Sequence, residues 1–287
     1  MKWWGTQTSC DLALIHTAGD DEFSDADDEL AESYPSSTYL SPIREHPLNI
    51  LLCGFHWTGC DALRRLLQAK HNVFVFTHEA PYHVPSLAEF CKKTNTPFSL
   101  DNISKSPLPF QPDCIASIYY RYLIKSNVIE ACNRKIMNLH PSLLPKYRGC
   151  SSLTWAMIDQ QVEAGFTYHF VDEGCDTGKI LVQERIPIMP FDTQGTLYQR
   201  VATKAMDSFD LALEMLVSNE AGREQIGDPS YFPRGCPHDG QINPLWPDEK
   251  IEAFIRAMIH PPYPPAQYRE RSIHSYEEYL DAVSQGQ

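Results

Sequence analysis

Apolar and mixed blocks alternate along the chain from Leu48 onward, and the period of each block predicts an element. LNILLCG is a short unbroken apolar run, as expected of a strand buried on both faces, and DALRRLLQAK repeats its apolar positions at helical spacing, with Asp61 placed as an N-cap. NVFVFTHE reads as a second strand, SLAEFCKK as a second helix, DCIASIYY as a third strand, IKSNVIEACN as a short helix and KIMNLH as a fourth strand. Beyond it, SSLTWAMIDQ is helical and GFTYHFVDE and KILVQERIPI are paired strands. TLYQRVATKAMDSFDLALEML reads as one long helix whose Leu197, Val201, Ala205, Phe209, Leu213 and Leu216 form a core-facing stripe. No internal repeat interrupts this order.

Strands alternating with helices predict an α/β fold, a Rossmann-like, mostly parallel sheet with helices on both faces, over residues 47–218. Two segments of different character flank it. Residues 1–46 hold the acidic block GDDEFSDADDEL and then a Ser/Pro-containing stretch, the composition of a solvated leader. Trp3, Trp4, Leu12, Leu14 and Ile15 leave a small helical lobe or interface arm as the alternative. Residues 219–287 are Pro-rich and irregular around one short helix, DEKIEAFIRAM, and predict a small C-terminal subdomain.

Composition narrows the partners. A chain of 287 residues with 43% hydrophobic content can bury a full core, and no apolar run reaches the roughly 18 residues a membrane span needs. The N-terminus lacks a basic region followed by an uninterrupted apolar stretch, so no signal peptide is expected and the cytoplasm is the expected location. A net charge of −13 would repel a phosphate backbone over most of the surface, which disfavours nucleic acid. The nine cysteines are scattered without a C-x-x-C pair, which speaks against a disulfide framework and a structural zinc site.

The candidate chemistry sits where the fourth strand ends, in KIMNLHPSLLPKYRGCSS. Side chains two apart on a strand point the same way, so Asn138 and His140 should face one cleft, with Leu139 turned to the packed side. Asn can stabilise an oxyanion and His moves protons near neutral pH. The loop DEGCDTGKI offers Asp172, Glu173 and Asp176 as the third group, able to fold back over the same cleft. No Ser or Cys nucleophile lies between these groups, which suggests direct acyl transfer to an amine. His169 faces the same way as Thr167 and either braces Asn138 or Asp176 or is a satisfied core histidine. In CGFHWTGCD, Gly54 and Gly59 mark a tight turn, and His56 and Trp57 at its tip are candidate substrate contacts, as is Arg148 for a phosphate. Lys146 reads as a solvated charge, and Cys150 and Cys175 as bystanders.

The strings NLHPSLLPKYRG and HFVDEGCDTGKILVQ, in that order and some thirty residues apart, resemble the two halves of the signature of the folate-dependent formyltransferases. The resemblance runs from about Leu48 to Leu216, with a weaker likeness of IEAFIRAMIHPPYPPA to the tail of sugar formyltransferases, and leaves the N-terminal extension uncovered. It implies that a substrate amine attacks the formyl carbon of N10-formyltetrahydrofolate, with no metal required. It further implies that Asn138 holds the oxyanion, His140 polarises it and manages protons, and Asp176 orients His140 and relays the amine proton. By position it places the pterin ring against the backbone at Tyr120, Arg121 and Leu123, with Val171, Asp172, Glu173 and Gly174 on the far side. For residues 119–123, a strand end packed on the core is the other reading.

Four branches of that family compete. The absence of a basic tRNA-binding barrel after the long helix speaks against methionyl-tRNA formyltransferases, and the extra tail against glycinamide ribonucleotide formyltransferases. Pro141, where a second His is usual, speaks against formyltetrahydrofolate hydrolases. YYRYLI, HPSLLPKYRGCSSLTWAMI and the tail look most like the branch that formylates nucleotide-linked amino deoxysugars, as in lipopolysaccharide biosynthesis. A small amine such as hydroxyornithine, or glycinamide ribonucleotide, is the alternative, and a non-catalytic folate-fold binding protein a second one. Homodimers are frequent in the resembled branch.

Overall fold

Ile50, Leu51 and Leu52 are all fully buried, so β1 (Asn49–Gly54) has no side on which to meet water and lies inside the sheet. The structure, a computed structural model, describes residues 46–285; all but the last residue of the N-terminal extension lies outside the described residues. β1 pairs in parallel with β2 (Asn72–Phe76) on one side and with β4 (Cys114–Ile118) on the other, and the short β3 (Phe98–Ser99) extends the β2 edge. β5 (Ile136–His140) continues in parallel beside β4, and β7 (Glu163–Phe170) and β8 (Ile180–Pro187) complete the sheet antiparallel. The order β3-β2-β1-β4-β5-β7-β8 reverses direction between β1 and β4, and in open α/β sheets a ligand crevice forms beyond the carboxyl ends of the strands at such a reversal.

Strand alternation sorts the core into two layers. Met137, Leu139, Phe166 and Tyr168 pack on one face with α1 (His56–Gln68), α2 (Leu87–Lys93), α4 (Ser152–Ile158), α5 (Gln194–Asp207) and α6 (Phe209–Val217). A smaller cluster built on Leu51, Ile115 and Ile136 lies on the other face under α3 (Ser126–Ala131). The expected Rossmann-like architecture is present. The C-terminal part joins the first layer through α7 (Asp248–Ala257), whose Ile251, Phe254 and Ile255 are buried in it. It also contains a hairpin, β10 (Ala266–Tyr268) with β11 (Arg271–Ile273), and α8 (Tyr276–Ser284), capped by Ser275. Strands of three residues are too short to show alternation, which is why the sequence reads as irregular there.

Two expected boundaries shift. Asp61 is not an N-cap: the chain enters α1 directly from β1 through extended Phe55, and Asp61 lies inside the helix, paired with Arg64 and, at 2.8 Å, with Arg65. The long helix is two, broken at Ser208, whose hydroxyl donates to Glu184 at 2.6 Å. The apolar stripe keeps its phase across the break, so periodicity alone reads through it.

Candidate active site

The antiparallel register puts His169 directly opposite Asn138 and Thr167 opposite His140, so all four side chains leave the sheet on the face away from Leu139 and Tyr168. His169 lies 2.8 Å from the Phe170 carbonyl through Nδ1; because a carbonyl only accepts, the ring proton belongs on Nδ1. Its Nε2 then accepts from Asn138 Nδ2 at 3.2 Å, while Asn138 Oδ1 accepts from the Ser117 hydroxyl on β4 at 2.8 Å. The Asn138 amide is thus fixed at both ends, and one N–H remains for a ligand. Thr167 is spent on the following loop: it donates to the Ser142 carbonyl at 2.6 Å and accepts from Gln183 at 2.9 Å.

His140 is 4% exposed and donates from Nε2 to the Tyr147 carbonyl at 2.8 Å, with the Ser152 hydroxyl 3.3 Å from the same nitrogen. That bond leaves Nδ1 as the free base, 3.5 Å from Asp176 Oδ2. Burial pushes the His140 imidazole below its ordinary value despite the neighbouring carboxylate, so the ring is neutral at pH 7. Asp176 shows the opposite balance. Burial opposes its charge, yet the positive charge that His140 carries once protonated and the Gly149 N–H at 2.8 Å outweigh it and hold its carboxyl well below the usual range, with His169 Nε2 3.5 Å from its other oxygen.

The backbone here is bent to serve these contacts. Asp176, Tyr147 and Ser151 all have left-handed φ angles, of 54°, 60° and 57°, each costing about 1 kcal/mol or more for a residue with a side chain. Gly149, at φ 89°, belongs to the two-residue strand β6 (Arg148–Gly149), which pairs with β9 (Tyr231–Phe232); a Cβ at Gly149 would stand 2.1 Å from the Phe232 carbonyl. Only glycine allows that approach, and the approach delivers the N–H to Asp176.

The two segments expected around a folate come together on this same face. Tyr120 is buried in the Ile136 cluster, Val171 packs against it, and the Val171 N–H bonds the Ile136 carbonyl at 2.9 Å. Several side chains there are committed internally. The Tyr120 hydroxyl accepts from the Ile103 N–H, Asp172 accepts from the Gly174 N–H and the Thr177 hydroxyl, and Glu173 pairs with Arg134. Arg121 lies over the Tyr122 ring and Leu123 is 72% exposed. Tyr120 and Val171 thus share one apolar cluster on this face, and the His78 ring lies 6.5 Å from that of Tyr120.

A second group of polar residues lies at the reversal of strand order. His56, the first residue of α1, is 1% exposed, has φ 64°, and neither ring nitrogen has a hydrogen-bond partner. The same is true of both ring nitrogens of His78, stacked on Phe55, and of Thr77 Oγ1, Trp57 Nε1, Gln194 Oε1 and His260 Nδ1. His56 and His260 both meet the Tyr198 ring edge-on, at 6.4 and 6.1 Å. Burial pushes His56 down to about 4 and His260 to about 3; burial and then the Arg121 charge push His78 to about 3. Gly54 and Gly59 serve packing, since a Cβ on either would press on Leu87 at 2.9 or 3.0 Å. Arg148 is half-buried and donates to Gln225 Oε1 at 3.2 and 2.6 Å, a tie the sequence did not reveal.

These features define a class: a doubly wound α/β domain whose carboxyl edge carries an Asn–His–Asp cluster suited to binding a developing negative charge and accepting a proton. The chain belongs to the formyl transferase family, whose profile matches residues 56–213, more than half of its length. It is 43% identical over 157 residues to the GDP-perosamine N-formyltransferases of Brucella melitensis and Brucella abortus, a match covering 55% of this chain and 61% of theirs. Among solved structures, it superposes with a TM-score of 0.70 on a sugar 3N-formyl transferase crystallised with dTDP and 5-N-formyl-THF, at 24% identity over 80% of this chain and 86% of that one. The N-formyltransferase of Helicobacter canadensis, in complex with folinic acid and dTDP-3-aminofucose, gives 0.69 at 22% identity, over 80% of this chain and 87% of that one. Among the described residues no helix is long and apolar enough to cross a membrane, and no group of three His, Cys, Asp or Glu could hold a metal ion.

Proposed function

We propose that the protein transfers the formyl group of N10-formyltetrahydrofolate to a primary amine on a nucleotide-linked amino sugar. The observation that carries this reading is the Asn138 amide, fixed by Ser117 and His169 beside the free Nδ1 of His140, in a chain of the formyl transferase family. The folate supplies the formyl carbon. The remaining N–H of Asn138 meets the formyl oxygen as negative charge develops there, a contact worth more at a buried, preorganised site than in water. His140 Nδ1 accepts the proton that the amine must shed, Asp176 stabilises the resulting imidazolium and relays the proton, and N10 of the folate takes up a proton as its bond to the formyl carbon breaks and tetrahydrofolate leaves. Tyr120, Arg121 and Leu123 on one side and residues 171–174 on the other hold the pterin.

His56 and Trp57 take polar groups of the amine substrate, and Arg148 is available to its phosphate through the part of the guanidinium that Gln225 does not hold. The Brucella relatives support a nucleotide sugar as that substrate. The cytoplasm as the place, sugar assembly for lipopolysaccharide as the use, and a homodimer as the assembly belong to the same reading. The test is mass spectrometry of a panel of dTDP-, GDP- and UDP-linked amino sugars, glycinamide ribonucleotide and hydroxyornithine with the formyl donor. A formyl mass gain on a nucleotide sugar is expected, reduced at least about 1000-fold in a folded His140→Asn variant. No gain on any sugar, or full activity in that variant, overturns the reading.

A further inference from the structure

The profile match ends at residue 213, yet the site is completed by residues beyond it. Arg223 pairs with Ile180 through two backbone hydrogen bonds of 2.8 Å, which bring the following residues alongside the loop that carries Asp176. Gln225 then uses both ends of its amide. Its Nε2 donates to the carbonyls of Asp176 and Gly178, both at 2.8 Å, and its Oε1 accepts from Arg148. Arg148 precedes Gly149, whose N–H holds the Asp176 carboxylate. A closed ring of contacts therefore runs from the Asp176 carbonyl through Gln225 and Arg148 to Gly149 and back to the Asp176 side chain.

We propose that Gln225 is a positioning residue for Asp176, holding its loop and the Gly149 amide in one frame. The inference rests on the function proposed above and adds to it a residue outside the family segment. The chemistry at this position is demanding. Asp176 sits in a left-handed conformation, less favourable than extended or helical backbone even for an aspartate, so an external hold on its peptide helps to keep it there. The holder must donate to two carbonyls and accept from a guanidinium at once, which a long primary amide does. Glutamate lacks the donor, lysine lacks the acceptor, and asparagine is one methylene short.

The test uses the full chain in two readouts. In the ligand-free protein, hydrogen exchange should rise about tenfold across residues 172–179 and 148–150 in Gln225→Met, with α5 and α6 protected as before. Gln225→Glu should loosen 172–179 and spare 148–150, because it keeps Arg148. In turnover, Gln225→Met should lower kcat about 10- to 100-fold, with KM for the formyl donor within about threefold, and move the acid limb of the kcat profile upward as Asp176 loses its amide. Wild-type exchange at 172–179, or exchange raised evenly through the whole sheet, overturns the proposal. If the wild-type protein formylates nothing, the functional reading fails, while the exchange data still decide whether Gln225 holds Asp176.

Discussion

The carboxyl edge of the sheet carries two polar groups of opposite character. Beyond β5, the side chains of Asn138, His140, His169 and Asp176 all have partners within the protein, the amide and carboxylate at more than one atom. Beyond β1 and β2, at the start of α5 and just after α7, His56, Trp57, Thr77, His78, Gln194 and His260 keep buried nitrogens or oxygens that bond nothing in the protein. A buried polar atom without a partner costs about 1–3 kcal/mol. Under the function proposed above, the first group carries the reaction and the second, at the reversal of strand order, offers polar atoms to the amine substrate.

The largest effect should come from breaking the partnered side. Asp176→Asn leaves the loop its size but removes the charge opposite His140 Nδ1. Steady-state assays should show kcat down by about 100- to 1000-fold with KM for the amine nearly unchanged. A fall in affinity with kcat intact would mean that the two groups are not divided as described.

Acid titration sharpens the other side. The folded values of His56, His78 and His260 lie below the roughly 6.5 of an unfolded chain, so their contribution is complete above about pH 6.5 and is lost as pH falls toward about 4 for His56 and about 3 for the others. Each then costs on the order of a few kcal/mol, and thermal melts should show Tm dropping steeply between pH 6.5 and 4. His56→Leu should lose measurably less over that interval. The same variant provides the smallest expected effect, at neutral pH. Because His56 has no hydrogen bond to lose, Tm should hold or rise slightly, while KM for the amine increases about tenfold and kcat stays within about twofold. A Tm lowered by several degrees would show that His56 is structural.

Sequence periodicity reached the partnered group well. Asn138 and His140 share a face because strands alternate, and that rule holds without knowledge of the neighbours. The braces were not legible: Ser117, Gly149 and Gln225 act across 21, 27 and 49 residues, and nothing local marks them. His169 was visible as a brace for Asn138 or Asp176, and the β5–β7 register settles it opposite Asn138, with Asp176 also within 3.5 Å. The unpartnered group was half seen. The turn at His56 and Trp57 was found, but nothing in it showed that His56 is buried under Tyr198 without a hydrogen-bond partner. His78 and His260 gave no signal, because a histidine between apolar neighbours looks the same whether satisfied or not.

The register of β5 against β7 also bears on which sequence changes the molecule can accept. Phe166 and Tyr168 lie in the core layer, while Thr167 and His169 face the site. A single inserted or deleted residue within β7 would exchange the two sets, burying an imidazole and a hydroxyl in oil while casting two large rings into the cleft. Such a chain would fail to fold before it could misalign its chemistry. The loop of residues 171–179 could lengthen or shorten by contrast, provided that Asp176 still reached Gly149. Parity in one strand thus acts as a proofreader: sequences that keep the core also keep His169 opposite Asn138.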